Sequence, residues 1–213
     1  MSRYRHQGTM ECIVTRWFVH GKFAFLLLCI ANVARAEPPS MSYQFGIGMA
    51  VRFATRSSFC RDDASCVLGS GAGVVAMMGV RRTEHWYFGG AYEFTKHNAA
   101  TLLRLGIMQH LRADFRYYIP LADDWGAHLG ASPGFIAYGN EWSIQTWGAG
   151  LQLRGAVDRR VGGTLLGMGL LWQTAFLREM ADPSRPNETD AAYAAGFVNF
   201  FGIELHIEAL ERL

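Results

Sequence analysis

No stretch of this sequence is apolar for long enough to cross a bilayer as a helix. The run "FAFLLLCIANV" at residues 23–33 has eleven residues, where a spanning helix takes about 20. Charge of one sign is also lacking: 20 Lys and Arg stand against 18 Asp and Glu, a net charge of +2. A balance that even does not suit a nucleic-acid partner, and none is expected. Internal repeats, low-complexity tracts and interdomain linkers are absent, so nothing in the chain calls for a second folded domain. Cysteine is scarce, with four residues in all, and only Cys60 and Cys66 follow residue 36.

The early part of the chain reads as a targeting segment. Arg3, Arg5, Arg16 and Lys22 precede the apolar run, and "ARA" ends at Ala36 just before the acidic Glu37. That is the layout of a secretory signal peptide over 1–36, removed on export. Met10 serves equally well as a start and leaves the inference of export unchanged. Cys29 does not make a lipoprotein signal, because Leu28 stands where that signal needs a small residue. The domain that remains is 37–213, and the sequence as a whole is 50% hydrophobic, which excludes general disorder. In an oxidising compartment Cys60 and Cys66, separated by "RDDAS", are expected to close a small disulfide ring, the other reading being two free thiols.

What the sequence has in abundance is alternation. In "MSYQFGIGMAVRF", residues 41–53, Tyr43, Phe45, Ile47, Met49, Val51 and Phe53 are large and apolar, while Ser42, Gln44, Gly46, Gly48, Ala50 and Arg52 are not. A period of two is a strand. The pattern returns over about 70–81, 86–96, 101–119, 125–135, 147–157, 166–176 and 193–207, which makes eight strands. In the fourth, Leu103, Leu105, Ile107, Leu111, Ala113, Phe115, Tyr117 and Ile119 share the apolar face, which only Gln109 breaks. Pro133 within the fifth suggests a bulge or an edge position. In the eighth, Tyr193, Phe197, Phe201, Ile203, Leu205 and Ile207 form the apolar face, and Asn199 and Phe200 exchange the expected characters. Short turns alternate with longer loops, the exception being "HNAA" at 97–100, a short connection at the long-loop end. The expected fold is therefore all-β: an eight-stranded antiparallel up-and-down barrel.

Such a barrel is either a soluble carrier with an apolar cavity or a transmembrane barrel with its apolar face outward. The weaker face decides between them. It is rich in glycine and carries only scattered charges, which suits the cramped interior of eight strands better than a water-facing exterior. Trp86, Phe88, Tyr117 and Trp125 gather at the short-turn end, and Tyr92, Phe94, Trp147, Trp172, Phe176 and Tyr193 at the other. Two aromatic belts at two interfaces are expected of a transmembrane β-barrel, whose closure also removes unsatisfied sheet edges.

With these strands and a closing segment "GIELHI" that carries Gly202, Leu205 and Ile207, the chain resembles the small outer-membrane β-barrel family of Gram-negative bacteria. The OmpA transmembrane domain and OmpX are members of that family. The resemblance covers about 41–207 and is architectural. Phe200 and the ending "EALERL" depart from the family's closing signal. What the resemblance implies is a multi-pass barrel in the outer membrane, in contact with its lipid, inserted by the outer-membrane assembly machinery with both termini in the periplasm. A single function does not follow from the fold.

Inward positions include Arg52, Arg81, Glu93, Arg104, Arg112, Asp114, Arg116, Arg154 and Glu204. Buried charges must be paired or hydrated, so a polar, ion-paired interior is expected. With "HNAA" as the connection, pairing positions sum to 197 and place Glu93 opposite Arg104 as a lumen ion pair. Eight strands leave no porin-sized channel, although a narrow gated path for small solutes is an alternative. His128 and Ser132 share the inward face with His110, His206 and Glu204, yet "GASPG" is no nucleophile elbow. No catalytic residue is assigned, a lipid-modifying enzyme remaining the second alternative. No cofactor and no metal site is assigned either, the histidines lacking ligand spacing. The expected function is non-enzymatic: an envelope barrel with a structural role whose loops near Cys60 and Pro183 meet an extracellular ligand or adhesion partner.

Overall fold

The computed structural model describes residues 41–59, 67–83, 85–99, 103, 105–140, 143–181 and 191–212. The signal segment 1–36, Cys60, Cys66, Arg104 and Pro183 lie outside these residues. Seven strands follow one another as β1 (Met41–Ser57), β2 (Gly71–Arg82), β3 (Trp86–His97), β4 (Gly106–Pro120), β5 (Trp125–Asn140), β6 (Ser143–Val161) and β7 (Thr164–Leu177). A small hairpin, β8 (Met180–Ala181) with β9 (Ala191–Tyr193), interrupts the last loop before β10 (Gly196–Arg212). Every neighbouring pair is antiparallel, and β1 pairs with β10, so the eight long strands form one closed barrel. Closure leaves no strand with a bare row of backbone donors and acceptors.

Alternation sets which side chains face out. Met78 is 71% exposed and its neighbour Met77 only 4%, because successive residues of a strand point to opposite faces. Ile47, Met49, Val74, Leu111, Leu129, Met168 and Leu205 form an exposed apolar girdle around the middle of the barrel. An apolar surface of that extent is not stable in water and faces lipid. Aromatic clusters flank it. Trp86, Phe88, Phe115 and Tyr117 pack edge to face and stacked near the short turns. Near the long loops Phe135 meets Trp147 with ring centroids 5.8 Å apart, and Phe176 meets Phe197 at 5.2 Å.

The fourth strand starts later than its alternation suggests. β4 begins at Gly106, so the connection after β3 runs over 98–105 and register moves by six: Glu93 pairs with His110, Lys96 with Ile107. Leu103 is buried rather than lipid-facing, and Leu105 precedes the strand. The expected pairing of Glu93 with position 104 is thereby replaced. The short connection at the long-loop end is instead residues 141–142, between β5 and β6.

Two further irregularities find physical reasons. Pro133 lies within β5, which is no edge in a closed barrel; the ladder to β4 stops opposite Ser132 and Pro133 and resumes in the same register. Proline removes a ladder donor, and no bulge is needed to accommodate it. Gln109, the polar residue on an apolar face, accepts a hydrogen bond from the Tyr92 hydroxyl at 2.9 Å. Bulges occur instead at Ala54/Ser57 and Tyr138/Gly139, both toward the long-loop end.

Candidate functional site

The lumen is a stack of three chemically distinct layers, beginning with an apolar cap at the long-loop end. Phe59, Val67 and Leu68 from the first loop, Ala99 and Leu103 from the loop after β3, and Met180 and Tyr193 from the last loop are buried there. They pack with the inward residues Met108, Ile136, Tyr138, Leu177, Val198 and Phe200. The exchange at 199–200 is explained by this cap: Phe200 points inward and is fully buried. Tyr193 belongs to the cap as well, not to the outer belt. The loops are tied to each other by backbone bonds from Gly69 N–H to Asn98 O and from Asn98 N–H to Ser70 O, both 2.8 Å.

Below the cap, charged side chains fill the barrel. Glu93 accepts from Arg52 through both carboxylate oxygens and from Arg112 Nη1 at 2.6 Å. Arg52 Nη2 also donates to Gln152 Oε1 at 2.9 Å. Asp114 accepts from Arg116 Nε at 2.9 Å and from Ser132 Oγ at 2.9 Å. Arg116 Nη1 reaches across to Glu208 at 2.5 Å, and Arg154 pairs with Glu204. All of these ionised groups are buried, and each charge meets its opposite, as a low-dielectric interior demands. The expected polar interior is present, with Glu93 held by Arg52 and Arg112.

The third layer lies toward the short turns. Gln44 bridges the Tyr118 hydroxyl, 2.7 Å away, and Glu208, while the guanidinium of Arg81 lies 4.0 Å above the Tyr118 ring. Beside them Asp158 accepts from His128 Nδ1 at 2.7 Å through one oxygen and from His206 Nε2 at 2.8 Å through the other. Donor atoms of these three residues lie within 4.8 Å of one another. Beneath is a vestibule of about 780 Å³ open at the short-turn end, whose lining includes Asp158, Tyr118, Arg160, Asp123 and Asp124.

Most inward residues read from alternation are where they were expected, but their partners are not neighbours in sequence. His128 and Ser132, which share a face, serve separate networks: His128 binds Asp158, and Ser132 donates to Asp114. Asp158 and Glu208 escaped the sequence reading, although parity carried two residues beyond Ala156 and His206 reaches both. No spacing along the chain announces the His128, Asp158 and His206 cluster, because its members come from β5, β6 and β10.

No protein-family model matches the sequence, and no curated protein matches it. Among solved structures, Neisserial surface protein A (NspA) is similar in fold, with 13% identity and a TM-score of 0.51 over 81% of this chain and 99% of that one. The outer membrane protein OprG from Pseudomonas aeruginosa aligns at 9% identity with a TM-score of 0.49, over 84% and 99%. The chain has the eight-stranded closed-barrel fold of the first of these.

Proposed function

We propose that this membrane-spanning chain is a closed, non-enzymatic barrel of the bacterial outer membrane, which binds an extracellular ligand or adhesion partner through its long-loop end and contributes structurally to the envelope. The observation that carries this reading is the apolar cap. Three loops insert Phe59, Val67, Leu68, Leu103, Met180 and Tyr193 over the mouth of the lumen. Ordered loop bases make a fixed platform, and function on such scaffolds usually lives in loops. Insertion by the outer-membrane assembly machinery and contact with outer-membrane lipid belong to the same proposal.

Other observations support it against a channel or an enzyme. The cap covers the long-loop end and the ion pairs below it are buried, so a solute path from the vestibule would require breaking several buried pairs together. Ser132 donates to a carboxylate rather than to a histidine, so the nucleophile-and-base contact of a hydrolase is not formed at that serine.

Reconstitution in planar bilayers and cell binding test the reading. Stepwise conductance is not expected from the folded barrel, whereas regular single-channel steps would favour the gated path. Replacing residues 60–66 by a short Gly/Ser linker should leave the heat-modifiable gel shift intact and abolish adhesion of expressing cells to host surfaces. Unchanged adhesion by that variant, and by a second one lacking residues 182–190, would reject the loops as the binding element.

A further inference from the structure

Asp158 stands apart from the other buried carboxylates. Glu93, Asp114, Glu204 and Glu208 each meet an arginine, but among the described residues Asp158 is paired only with His128 and His206. A buried carboxylate needs a counter-charge, and neutral imidazoles supply none. Around it the balance is also negative. Among the described buried groups, five carboxylates (Glu93, Asp114, Asp158, Glu204 and Glu208) face four arginines (Arg52, Arg112, Arg116 and Arg154), and none of the four pairs with Asp158.

His206 adds a second, independent indication. If its Nε2 donates to Asp158 as a neutral ring, its Nδ1 is a bare acceptor. That nitrogen has no hydrogen-bond partner and lies 3.8 Å from Glu204 Oε1, with Glu204 Oε2 unpartnered as well. Two acceptors would face each other in a buried site. Were Nε2 bound to a cation, the proton would sit on Nδ1 and point toward the Glu204 carboxylate, the arrangement in which an outer carboxylate orients a metal-bound histidine.

Local backbone chemistry makes room for the cluster. Asp158, Gly167 and His206 occupy one row across β6, β7 and β10. A Cβ on Gly167 would overlap both Asp158 Oδ1 and His206 Nε2. Glycine there lets residues on two non-adjacent strands touch.

We propose that His128 Nδ1, Asp158 and His206 Nε2 bind one divalent transition-metal ion of the zinc class, with a remaining coordination position toward the vestibule. Two imidazoles and a carboxylate suit such an ion. Metal–ligand bonds of about 2.0 to 2.2 Å need each nitrogen–oxygen pair to open by roughly half an ångström. Asp158 lines the vestibule, where Asp123 and Asp124 supply negative charge along the approach and Arg160 opposes it.

The test uses tag-free full chain purified from membranes in detergent micelles, stripped with a chelator and titrated calorimetrically with Zn²⁺; Co²⁺ serves as a visible-absorption probe. One Zn²⁺ per barrel is expected. His128→Gln and His206→Gln should weaken it by more than the roughly 10- to 100-fold that loss of an outer partner costs. Gly167→Ala should weaken it too, with all three ligands retained. The heat-modifiable gel shift reports folding of each variant, and the two histidine variants decide the matter should Gly167→Ala fail to fold. Absence of saturable Zn²⁺ binding by the folded wild-type barrel, or wild-type affinity in folded His128→Gln and His206→Gln, would overturn the site.

Discussion

The hydroxyl of Tyr138, on the wall of the barrel, donates to the backbone carbonyl of Val67 in the first long loop, 71 residues away in sequence. Both residues are fully buried in the apolar cap. A wall residue thus latches a loop over the lumen, and the bond is made where no water can replace it. Tyr138→Phe keeps the ring and removes the donor. It should cost about 1 kcal/mol and speed amide exchange at Gly69, whose N–H bonds to Asn98 across the same loops. Unchanged exchange there would show that apolar packing alone holds the cap.

Glu93 is the hub of the upper ion-pair layer. Losing it leaves Arg52 and Arg112 facing one another without their shared carboxylate. Glu93→Gln should therefore destabilise the barrel by about 3 to 5 kcal/mol, as removal of one member of a buried pair does. A double-mutant cycle with Arg112→Gln, read by urea unfolding in lipid vesicles, should show positive coupling. Strict additivity would mean that the two side chains interact weakly in the lumen.

Depth in the membrane sets the cost of an outward charge. Leu205 lies in the same row as Met49 and Met168 in the middle of the apolar girdle. Leu205→Arg should cost roughly 2 to 4 kcal/mol, and Leu121→Arg, in the turn between β4 and β5, about 0 to 1. Folding efficiency into vesicles measures both. Equal tolerance would contradict the outward facing of Leu205 or its depth.

Reduction should leave the barrel folded even if Cys60 and Cys66 are joined. Phe59 and Val67, which flank that segment, are both buried in the cap, so the ends of the loop are anchored by apolar burial. The expected result is an unchanged heat-modifiable gel shift with and without reductant. Loss of the shift on reduction would make the proposed disulfide a condition of barrel closure.

The eight barrel strands and the facing of most of their residues were determined by the sequence alone, whereas the small β8–β9 hairpin was not. Alternation is a local property: Met77 and Met78 point to opposite sides whatever their neighbours do, because the backbone pleat dictates it. Scarcity of charge on the weaker face sufficed to turn the apolar face toward lipid. Where alternation is ambiguous, as from 101 to 105, the same logic failed. Leu103 and Leu105 fit a strand by character, but apolar residues also fit a buried loop, and only the cap shows which environment Leu103 has.

Partnership was decided by the tertiary structure. Register between strands depends on loop length, and closure depends on the fit of β1 to β10, neither of which leaves a mark on residue periodicity. A shift of six residues between β3 and β4 exchanges the neighbours of Glu93 without altering which way it points. Closing the barrel then brings Arg52 of β1 to Gln152 of β6, and Arg116 of β4 to Glu208 of β10. Side-chain direction is a property of each residue's own backbone, whereas contact across a lumen is a property of the whole ring of strands.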